Sequence, residues 1–562
     1  MYSDLKSVQI LISLLKQYGV RHIVLSPGNR NVPIVHSVEE DDFFKCYAIT
    51  DERSAGFFAI GLIHRCNEPV AICSTSGTAV CNYASAVNEA FYQNLPLVVL
   101  TADRNPYFLN QLEDQMIPQM SVFRDVCKAA VHLPIVKEEQ DEWVCQNLIN
   151  SALLEMDHHG KGPVHINIPI ESGTTSFNTR VLPTAKKINR VYANSDEVAS
   201  LGQRLQGKRI FLLYGQSAPC SEALVDLLEN FAAQYDAVIG VDHLSNLRCK
   251  GAINTFLGPK MLEDAKLKAL LPDIVISCGG NFVSNLRPLF RNNTDKVEHW
   301  LISESGLVQD PFHCLTEVIE GTPMDFLKKV VSPEKSGKLG GYYEEWQTAM
   351  AGCVMKEIPY SDLMAVEKFM SKLKAGDKLH LANSNSVRLA NHFDLPAGVD
   401  VTCNRGTNGI DGSASSFIGE AAISEDKSYL LIGDLSFFYD MNSLWNRYVG
   451  KNVRILLNNN SGAAIFHCTI GKSKISTLNM HTAAEHFYSA EGWAVSAGMK
   501  YLSARNEQEL ESALQSFMGD EEGPMFLEVF TDKEKDAGIL RSAYGKSNKA
   551  PTLKQAIKKL LK

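Results

Sequence analysis

The chain carries, from Ser428, the sequence SYLLIGDLSFFYDMNSLW and, from Val453, the sequence VRILLNNNSGAAIF. This pattern predicts a buried strand that ends at Gly433 and Asp434, a helix that begins there, and a second strand that ends in an asparagine cluster. Neighbouring strands of a parallel sheet bring their carboxyl ends to the same edge, where ligands bind. We therefore expect Asp434 and Asn460, which are 26 residues apart, to converge.

The converging groups suit a divalent metal ion. The carboxylate of Asp434, the amide oxygen of Asn460 and the backbone carbonyl of Gly462 form a hard oxygen set of the kind that Mg²⁺ prefers and Mn²⁺ also accepts. The N–H groups at the start of the following helix would hold the phosphate groups of a ligand. The alternative interpretation is that Asp434 only caps the helix and the asparagines only form a turn. That interpretation accounts well for Asp434 alone or for the asparagine cluster alone, but less well for the occurrence of both 26 residues apart.

Short runs rich in valine and isoleucine alternate with helical patterns along the rest of the chain, which is typical of parallel βαβ units. A polar stretch over residues 176–195 and the linker-like sequence SPEKSGKLGG from Ser332 separate three such series. The predicted fold is therefore α/β, with three doubly wound parallel-sheet domains. The predicted strands include residues 22–25, 70–73, 97–101, 210–214, 237–241, 274–278, 378–382, 429–432, 453–457 and 525–529.

The predicted domain limits are residues 1–180, 190–335 and 345–540, followed by a C-terminal tail over residues 541–562. The basic end of that tail, residues 552–562, is expected to form a solvated helix. The three domains together account for a length of 562 residues, at roughly 100 to 200 residues per domain.

Composition limits the possible partners. Lys plus Arg is 55 and Asp plus Glu is 64, and the formal net charge of −9 argues against broad electrostatic capture of nucleic acid or of an anionic membrane. No apolar stretch approaches the roughly 20 residues of a membrane span, so no stable membrane anchor is predicted. The 13 cysteines lack CxxC spacing and the N-terminus does not resemble a signal peptide, so a cytoplasmic protein with reduced thiols is expected.

Several common catalytic motifs are absent from the sequence. Neither GxGxxG nor GxxxxGK[ST] occurs, and GxSxG is absent around Ser76. His481 and His486 are five residues apart, about 140° around a helix of 3.6 residues per turn, so they do not form a metalloprotease motif. They are predicted to be surface or packing histidines.

The motif at Asp434 resembles that of the thiamine diphosphate enzymes, which begins Gly-Asp-Gly and ends in Asn-Asn at about this spacing. The third position is here Leu435, a variant similar to one branch of those enzymes. The resemblance implies that thiamine diphosphate is the cofactor, that it contacts Gly433 and Leu435, and that Asp434, Asn460 and the Gly462 carbonyl ligate Mg²⁺ or Mn²⁺.

The asparagine ligand must be chosen from three consecutive residues, Asn458, Asn459 and Asn460. We choose Asn460 because Gly462 then precedes Ile465 by three residues, as in the family pattern. The resemblance also implies the three-domain architecture of thiamine diphosphate enzymes.

These enzymes need a carboxylate away from the metal. It hydrogen-bonds the aminopyrimidine ring of the cofactor and lets the cofactor's own amine take the thiazolium proton. Residues 48–52 end a predicted strand and the residues after Glu52 open an apolar helix. Glu52 is therefore the predicted catalytic residue, although by itself it could be an ordinary first-turn glutamate favoured by the helix dipole.

Further motifs narrow the resemblance. They are SPGNRNVP from Ser26, TDERSAGFFAIGL from Thr50, STSGTAVCNY from Ser74, LPLVVLTADRNP from Leu95, NSNSVRL from Asn383 and NRGTNGIDGSAS from Asn404. With GDLSF, they are similar to the 2-succinyl-5-enolpyruvyl-6-hydroxy-3-cyclohexene-1-carboxylate synthases of menaquinone biosynthesis, through the first and third domains. That family decarboxylates 2-oxoglutarate on thiamine diphosphate and adds the resulting succinyl carbanion equivalent to isochorismate in a conjugate addition. The resemblance implies these two substrates and this product here.

Both substrates are dianions, and guanidinium groups bind carboxylates in bidentate fashion. The resemblance implies that Ser384 contacts the diphosphate and that Ile410 is the apolar wedge that bends the cofactor. The middle domain's expected Lys-Arg pair appears only as Leu286-Arg287, so contacts of that domain with isochorismate stay open. The implied substrate-binding residues are Asn29, Arg30, Arg104, Gln115, Arg388, Arg405 and Ile465, with Asn29 standing where the family usually has serine.

In this superfamily the cofactor lies between the first domain of one subunit and the third domain of another. The resemblance therefore implies a homodimer or homotetramer in which Glu52 and Asp434 meet across the interface. Two alternatives remain. One is another thiamine diphosphate carboligase, such as an acetolactate synthase-like enzyme acting on pyruvate, which the set of arginines opposes. The other is a degenerate fold that only binds, which the retention of Glu52, Asp434 and Asn460 opposes.

Overall fold

The computed structural model describes residues 1–171, 176–332, 339–470, 475–519 and 522–544. The chain divides into two compact units, residues 1–191 with 305–320, and residues 192–304 with 321–562. The predicted C-terminal helix lies outside the described residues, as do residues 333–338 of the predicted linker. None of the described helices combines the length and the apolar character needed to cross a membrane.

The sheet of the first unit is parallel, with the strand order β2-β1-β3-β4-β6-β5. Its strands are β1 (His22–Leu25), β2 (Lys45–Ala48), β3 (Val70–Ser74), β4 (Leu97–Asp103), β5 (Ala129–His132) and β6 (Val164–Pro169). The helices are α1 (Lys6–Gln17), α2 (Val32–Glu39), α3 (Glu52–Cys66), α4 (Thr78–Asn82), α5 (Ala84–Tyr92) and α6 (Glu139–Glu155). Strands β3, β4 and β6 are buried along their whole length, as expected when both faces of a parallel sheet are covered.

The middle part of the chain builds a second parallel sheet. The strands of this part of the chain, in order, are β7 (Asn189–Tyr192), β8 (Ile210–Tyr214), β9 (Ala237–Val241), β10 (Ala252–Asn254), β11 (Ile274–Cys278), β12 (Glu298–Ser303) and β13 (Leu315–Glu320). The helices are α7 (Glu197–Arg204), α8 (Glu222–Tyr235), α9 (Gly258–Met261), α10 (Asp264–Ala269), α11 (Arg287–Arg291) and α12 (Pro323–Val330). Within the second unit the strand order is β10-β9-β8-β11-β12, whereas β13 belongs to the first unit.

The third sheet is also parallel, with the order β15-β14-β16-β17-β19-β18. Its strands are β14 (Lys378–Leu381), β15 (Asp400–Thr402), β16 (Ser428–Gly433), β17 (Val453–Asn459), β18 (Lys500–Ala504) and β19 (Met525–Phe530). The helices are α13 (Gly341–Ala351), α14 (Asp362–Met370), α15 (Asn385–Ala390), α16 (Ser413–Ala421), α17 (Asp434–Tyr439), α18 (Ala464–Thr469), α19 (Glu491–Ser496), α20 (Glu507–Phe517) and α21 (Lys533–Ala543).

Alternate residues of the third sheet enter two separate hydrophobic cores. Leu431, Leu456 and Leu527 pack into the core on one face, while Leu430 and Ile455 pack into the core on the other. Successive side chains of a strand point to opposite faces, so a run of apolar residues anchors both faces at once. The carboxyl ends of β16 and β17 are thereby held in fixed positions.

The predicted α/β fold with three parallel sheets is confirmed. The strands predicted at 210–214, 237–241 and 274–278 occur with those bounds as β8, β9 and β11. The strand predicted at 453–457 continues to Asn459, because β19 pairs with it as far as Asn459 and Phe530. The domain limits stay a prediction.

Candidate active site

The predicted metal ligands converge at the carboxyl edge of the third sheet. Gly433 at the end of β16 is in register with Asn458 of β17, and Asp434 is the first residue of α17. Oδ2 of Asp434 accepts a hydrogen bond from the Gly462 N–H at 2.9 Å, and Oδ1 accepts one from the Leu435 N–H at 2.6 Å. The strand end and the asparagine loop are therefore joined through the Asp434 carboxylate, which also caps its own helix.

A cavity of about 160 Å³ opens at this edge. The cavity is lined by all eight third-domain residues that were predicted to contact the cofactor, the metal or the substrate, the arginines not included. They are Ser384, Ile410, Gly433, Asp434, Leu435, Asn460, Gly462 and Ile465. A larger cavity of about 790 Å³, beside Lys378 and Glu420, contains none of the predicted site residues.

Strand geometry separates the three consecutive asparagines. Asn459 points away from the cavity, and its Nδ2 donates to Oε1 of the buried Glu528 at 2.7 Å. Asn458 in β17 and Asn460 just after its end line the cavity, as expected for residues two apart in an extended chain. The Nδ2 of Asn460 donates to Oδ2 of Asp536 at 3.3 Å. That bond directs the amide nitrogen of Asn460 toward Asp536 and leaves its oxygen for a ligand.

No sequence motif pointed to Asp362 and Asp536, two carboxylates on α14 and α21 that lie beside the site. Asp362 lines the cavity, and its backbone N–H donates to Oδ1 of Asp536 at 3.3 Å. Burial raises the pKa of Asp362 well above its ordinary range, with a further contribution from Asp536, and burial raises the pKa of Asp536 to about 6. Among the described residues, Oδ1 of Asp362 and both polar atoms of Asn458 have no hydrogen-bond partner.

This environment fits a divalent cation and a polyanionic ligand. Buried carboxylates and unpartnered polar atoms are costly unless a ligand or ion satisfies them. A Cβ atom at Gly462, whose φ is +138°, would lie 2.6 Å from the Ala483 carbonyl oxygen, so only glycine suits this turn. His486 was predicted to be a surface or packing histidine, yet its Nε2 lies 3.2 Å from Oδ2 of Asp434. It is a further polar group at the site.

Two predicted substrate arginines lie next to the cavity. Nη1 of Arg388 donates to the Ser384 carbonyl at 2.5 Å, and Nη1 of the buried Arg405 donates to Oδ1 of Asn383 at 3.3 Å. Ser384 and Asn383 both line the cavity. Burial and the neighbouring Arg405 lower the pKa of Arg388, which indicates that the two cations are close. Such crowding of positive charge is stabilised when an anion binds.

Lys260, which the sequence did not single out, belongs to the same positive cluster. Burial and Arg388 lower the pKa of this lysine to about 8. Its ammonium group lies 4.6 Å from the ring centre of Tyr544 and 4.9 Å from that of Phe256. The middle region of the chain therefore contributes a half-buried cation beside Arg388.

Glu52 is the first residue of α3, at the carboxyl edge of the first sheet. The capping role falls to the preceding residue, because Oδ1 of Asp51 accepts the Ser54 N–H at 2.8 Å. Glu52 is half-buried, and its Oε2 accepts a hydrogen bond from Nδ2 of Asn82 at 3.0 Å. Glu52 is therefore a first-turn residue of α3 with a side-chain partner of its own, while Asp51 caps the helix.

Arg30 and Arg104 follow β1 and β4 and lie at the same sheet edge. Nη1 of Arg30 donates to the Ile170 carbonyl at 3.0 Å, while Nη1 of Arg104 pairs with Oε1 of Glu113 at 2.6 Å. Burial and Arg104 lower the pKa of Arg30, so these two cations are also neighbours. Asn29 is exposed.

Gln115 is exposed and lies against Gly77, with a φ of +51°. A neighbouring amide that the sequence did not indicate, Gln119, is buried and accepts the Gly77 N–H at 2.8 Å. It also donates to Oδ1 of Asn167 at 2.8 Å. The loop that carries Gln115 is therefore held in place through Gln119.

Known proteins resemble this chain over nearly its whole length. Residues 5–122 match the family described as thiamine pyrophosphate enzyme, N-terminal TPP binding domain. A 2-succinyl-5-enolpyruvyl-6-hydroxy-3-cyclohexene-1-carboxylate synthase of Phocaeicola vulgatus is 42% identical, over 98% of this chain and 100% of that protein. The chain belongs to this synthase family. Synthases of the same name from Bacteroides fragilis and Bacteroides thetaiotaomicron are each 40% identical, over 97% of this chain and 99% of those proteins.

Membership of the synthase family confirms the resemblance stated from the motifs. The matched N-terminal domain is described as binding thiamine pyrophosphate, which is another name for thiamine diphosphate. These relatives give no support to the acetolactate synthase-like alternative.

Proposed function

We propose that the protein decarboxylates 2-oxoglutarate with thiamine diphosphate and transfers the remaining four-carbon unit to isochorismate. The products are 2-succinyl-5-enolpyruvyl-6-hydroxy-3-cyclohexene-1-carboxylate and CO₂, which makes the protein a transferase of menaquinone biosynthesis. The observation that carries the proposal is the cavity at Asp434 and Asn460, in a chain that matches synthases of that name over nearly its full length.

We assign the diphosphate and metal end of the cofactor to the third-domain cavity. Asp434, Asn460 and the Gly462 carbonyl would hold Mg²⁺ or Mn²⁺, and Gly433, Leu435 and Ser384 would contact the diphosphate. Ile410 would support the bend of the cofactor. The unpartnered atoms of Asp362 and Asn458 support this assignment, because a bound cation and its waters would satisfy them.

Bound thiamine diphosphate supplies the nucleophilic carbon and the electron sink that decarboxylation of a 2-oxo acid requires. Glu52 would hydrogen-bond the pyrimidine ring of the cofactor and hold the proton that this ring exchanges. The bond from Asn82 keeps the Glu52 carboxylate in one orientation. Ile465, which lines the cavity, would exclude water from the reacting atoms.

Substrate recognition follows from local positive charge. Each substrate is a dianion, and the pairs Arg388 with Arg405 and Arg30 with Arg104 supply closely spaced guanidinium groups. Asn29 and Gln115 would add polar contacts. Pyruvate has a single carboxylate, so it would leave part of this charge unpaired.

We propose a homodimer as the minimal active form, with a homotetramer as the larger option. In the first unit, Phe57 and Phe58 on α3 are 44% and 40% exposed. In the second unit, Tyr439 at the end of α17 and Phe487 beside His486 are 76% and 87% exposed. Both parts of the site thus carry apolar surface that a second copy would cover. The thirteen cysteines are free thiols, which supports a cytoplasmic location.

The experiment that tests the proposal supplies thiamine diphosphate, Mg²⁺, 2-oxoglutarate and isochorismate and follows the loss of isochorismate absorbance. We expect isochorismate consumption to require 2-oxoglutarate and the metal. Pyruvate serves as the comparison donor. A preference for pyruvate would contradict the substrate assignment and leave the cofactor assignment standing.

A further inference from the structure

Three side chains of the first unit converge at the end of α6, outside the candidate active site. Nε2 of His158 lies 2.9 Å from Oε2 of Glu320, and Nε2 of His159 lies 2.9 Å from Oε1 of the same carboxylate. The centres of the two imidazole rings are 4.0 Å apart. One donor atom from each residue lies within 4.8 Å of the others. We call these residues the His158–His159–Glu320 cluster.

The backbone aims both rings at one carboxylate. His159 has a φ of +52°, in the left-handed region, which turns two successive side chains toward Glu320. Gly306 has a φ of +63°, and a Cβ atom there would collide with Oε2 of Glu320. A non-glycine residue in the left-handed region costs free energy and persists where its surroundings impose it. This geometry is therefore imposed by the fold.

A second carboxylate orients the buried ring. Nδ1 of His158 lies 3.1 Å from Oε2 of Glu155, and Oε1 of Glu155 pairs with Nη2 of Arg190 at 2.7 Å. His158 therefore has a carboxylate at each ring nitrogen. A neutral imidazole has one N–H, so one of the two carboxylates would face a lone pair. A metal ion at Nε2 removes that conflict and leaves Nδ1–H to donate to Glu155, as metal-bound histidines commonly do.

We propose that the His158–His159–Glu320 cluster binds Zn²⁺ through both Nε2 atoms and the carboxylate, with water as the fourth ligand. Ligand distances of 2.0–2.2 Å around a tetrahedral ion put donors about 3.3 Å apart, so the 2.9 Å contacts must open by a few tenths of an ångström. The His159 side chain is 66% exposed and can move that far.

Two imidazole donors disfavour Mg²⁺, so this site is chemically distinct from the metal site proposed at Asp434. The ion would join the end of α6 to the end of β13, because Glu320 is the last residue of that strand. It would therefore stabilise the attachment of residues 305–320 to the rest of the first unit.

The test is calorimetric titration of Zn²⁺ into untagged protein that is saturated with thiamine diphosphate and Mg²⁺. We expect one equivalent to bind to the wild type and His159→Ala to weaken binding by more than about 100-fold. Glu155→Gln, which removes the orienting carboxylate and its ion pair with Arg190 but none of the three ligands, should weaken it by roughly 10- to 100-fold. Zn²⁺ should also raise the melting temperature of the wild type and not that of His159→Ala.

His22→Ala is the matched control, because His22, Cys66 and Glu68 form a second group of potential ligands in the same unit. It should leave the binding unchanged. Co²⁺ in place of Zn²⁺ should give tetrahedral visible bands without a thiolate charge-transfer band. Absence of Zn²⁺ binding to the wild type, equal binding by His159→Ala, or loss of binding only in His22→Ala would overturn the proposal.

Discussion

Glu52 is the single residue on which turnover is expected to depend most. Glu52→Gln keeps the size of the side chain and the hydrogen bond with Asn82 but removes the exchangeable proton. We expect turnover to fall by about 100-fold or more, while calorimetric binding of thiamine diphosphate is retained. Glu139→Gln, the same change at an exposed residue of α6, is the control. Unchanged turnover in Glu52→Gln would remove this residue from its role.

The corresponding prediction for the metal site concerns Asp434. Its carboxylate accepts hydrogen bonds from Leu435 and Gly462, so Asp434→Ala removes a ligand and frees the loop that carries the other two. We expect Mg²⁺-dependent binding of thiamine diphosphate to become undetectable by calorimetry. Asp426→Ala, at an exposed carboxylate of the same unit, should bind normally. Tight binding by Asp434→Ala would refute the ligand assignment.

At the scale of elements, the turn between β17 and α18 depends on Gly462. Gly462→Ala adds a Cβ atom 2.6 Å from the Ala483 carbonyl at a φ of +138°. We expect a loss of about 1–3 kcal/mol in the free energy of unfolding and weaker cofactor binding. Gly419→Ala in α16 meets open space and should stabilise the protein by about 0.5–1 kcal/mol. Equal stabilities of the two variants in denaturant titrations would contradict the assigned strain.

The contact between the middle region and α15 should depend on pH. Nε2 of His243 is shared between the carbonyl oxygens of Ala390 and Phe393, and burial together with Arg248 lowers the pKa of His243 from 6.5 to about 4, despite the opposing charge of Asp394. The unfolded state therefore binds the proton more readily. The contribution of neutral His243 to stability is complete above pH 6.5. It decreases as the pH falls below 6.5 and is fully lost once the pH has fallen through about 4.

One pH unit below 6.5, this loss amounts to about 1.4 kcal/mol. Denaturant titrations from pH 7.5 to 5 should show a shallower pH dependence for His243→Gln than for the wild type. The exposed His64→Gln should follow the wild type. Parallel curves for His243→Gln and the wild type would contradict the assignment.

The proposed sharing of the site between subunits predicts complementation between two inactive variants. Co-expressed Glu52→Gln and Asp434→Ala chains should form hybrid dimers with one intact site and one doubly altered site. Random pairing then restores about a quarter of the wild-type activity. Each variant expressed alone should be inactive, and sedimentation should show dimers throughout. No recovery in verified hybrids would contradict the shared site.

The third-domain site could be predicted from sequence because its ligands follow consecutive strands. Asp434 and Asn460 are each tied to a strand end, so a parallel pairing of β16 and β17 was enough to bring them together. Asp362 and Asp536 could not be predicted, because they lie in the first turns of α14 and α21, which are distant in sequence from the motif and reach the site only through packing. Lys260 was missed for the same reason, since only the packing of the middle region against α15 brings it to Arg388.

Sequence patterns alone were enough to predict the parallel α/β fold, the strand ends that carry the motifs, and the family. These features follow from local hydrophobic patterns and from residue types at fixed spacing. The folded structure was needed to see which of the three consecutive asparagines face the cavity and which buried carboxylates lie behind them. It was also needed to see that His158, His159 and Glu320 meet. The physical reason is that side-chain direction and long-range packing depend on strand register and on the close packing of the helices, which no local pattern encodes.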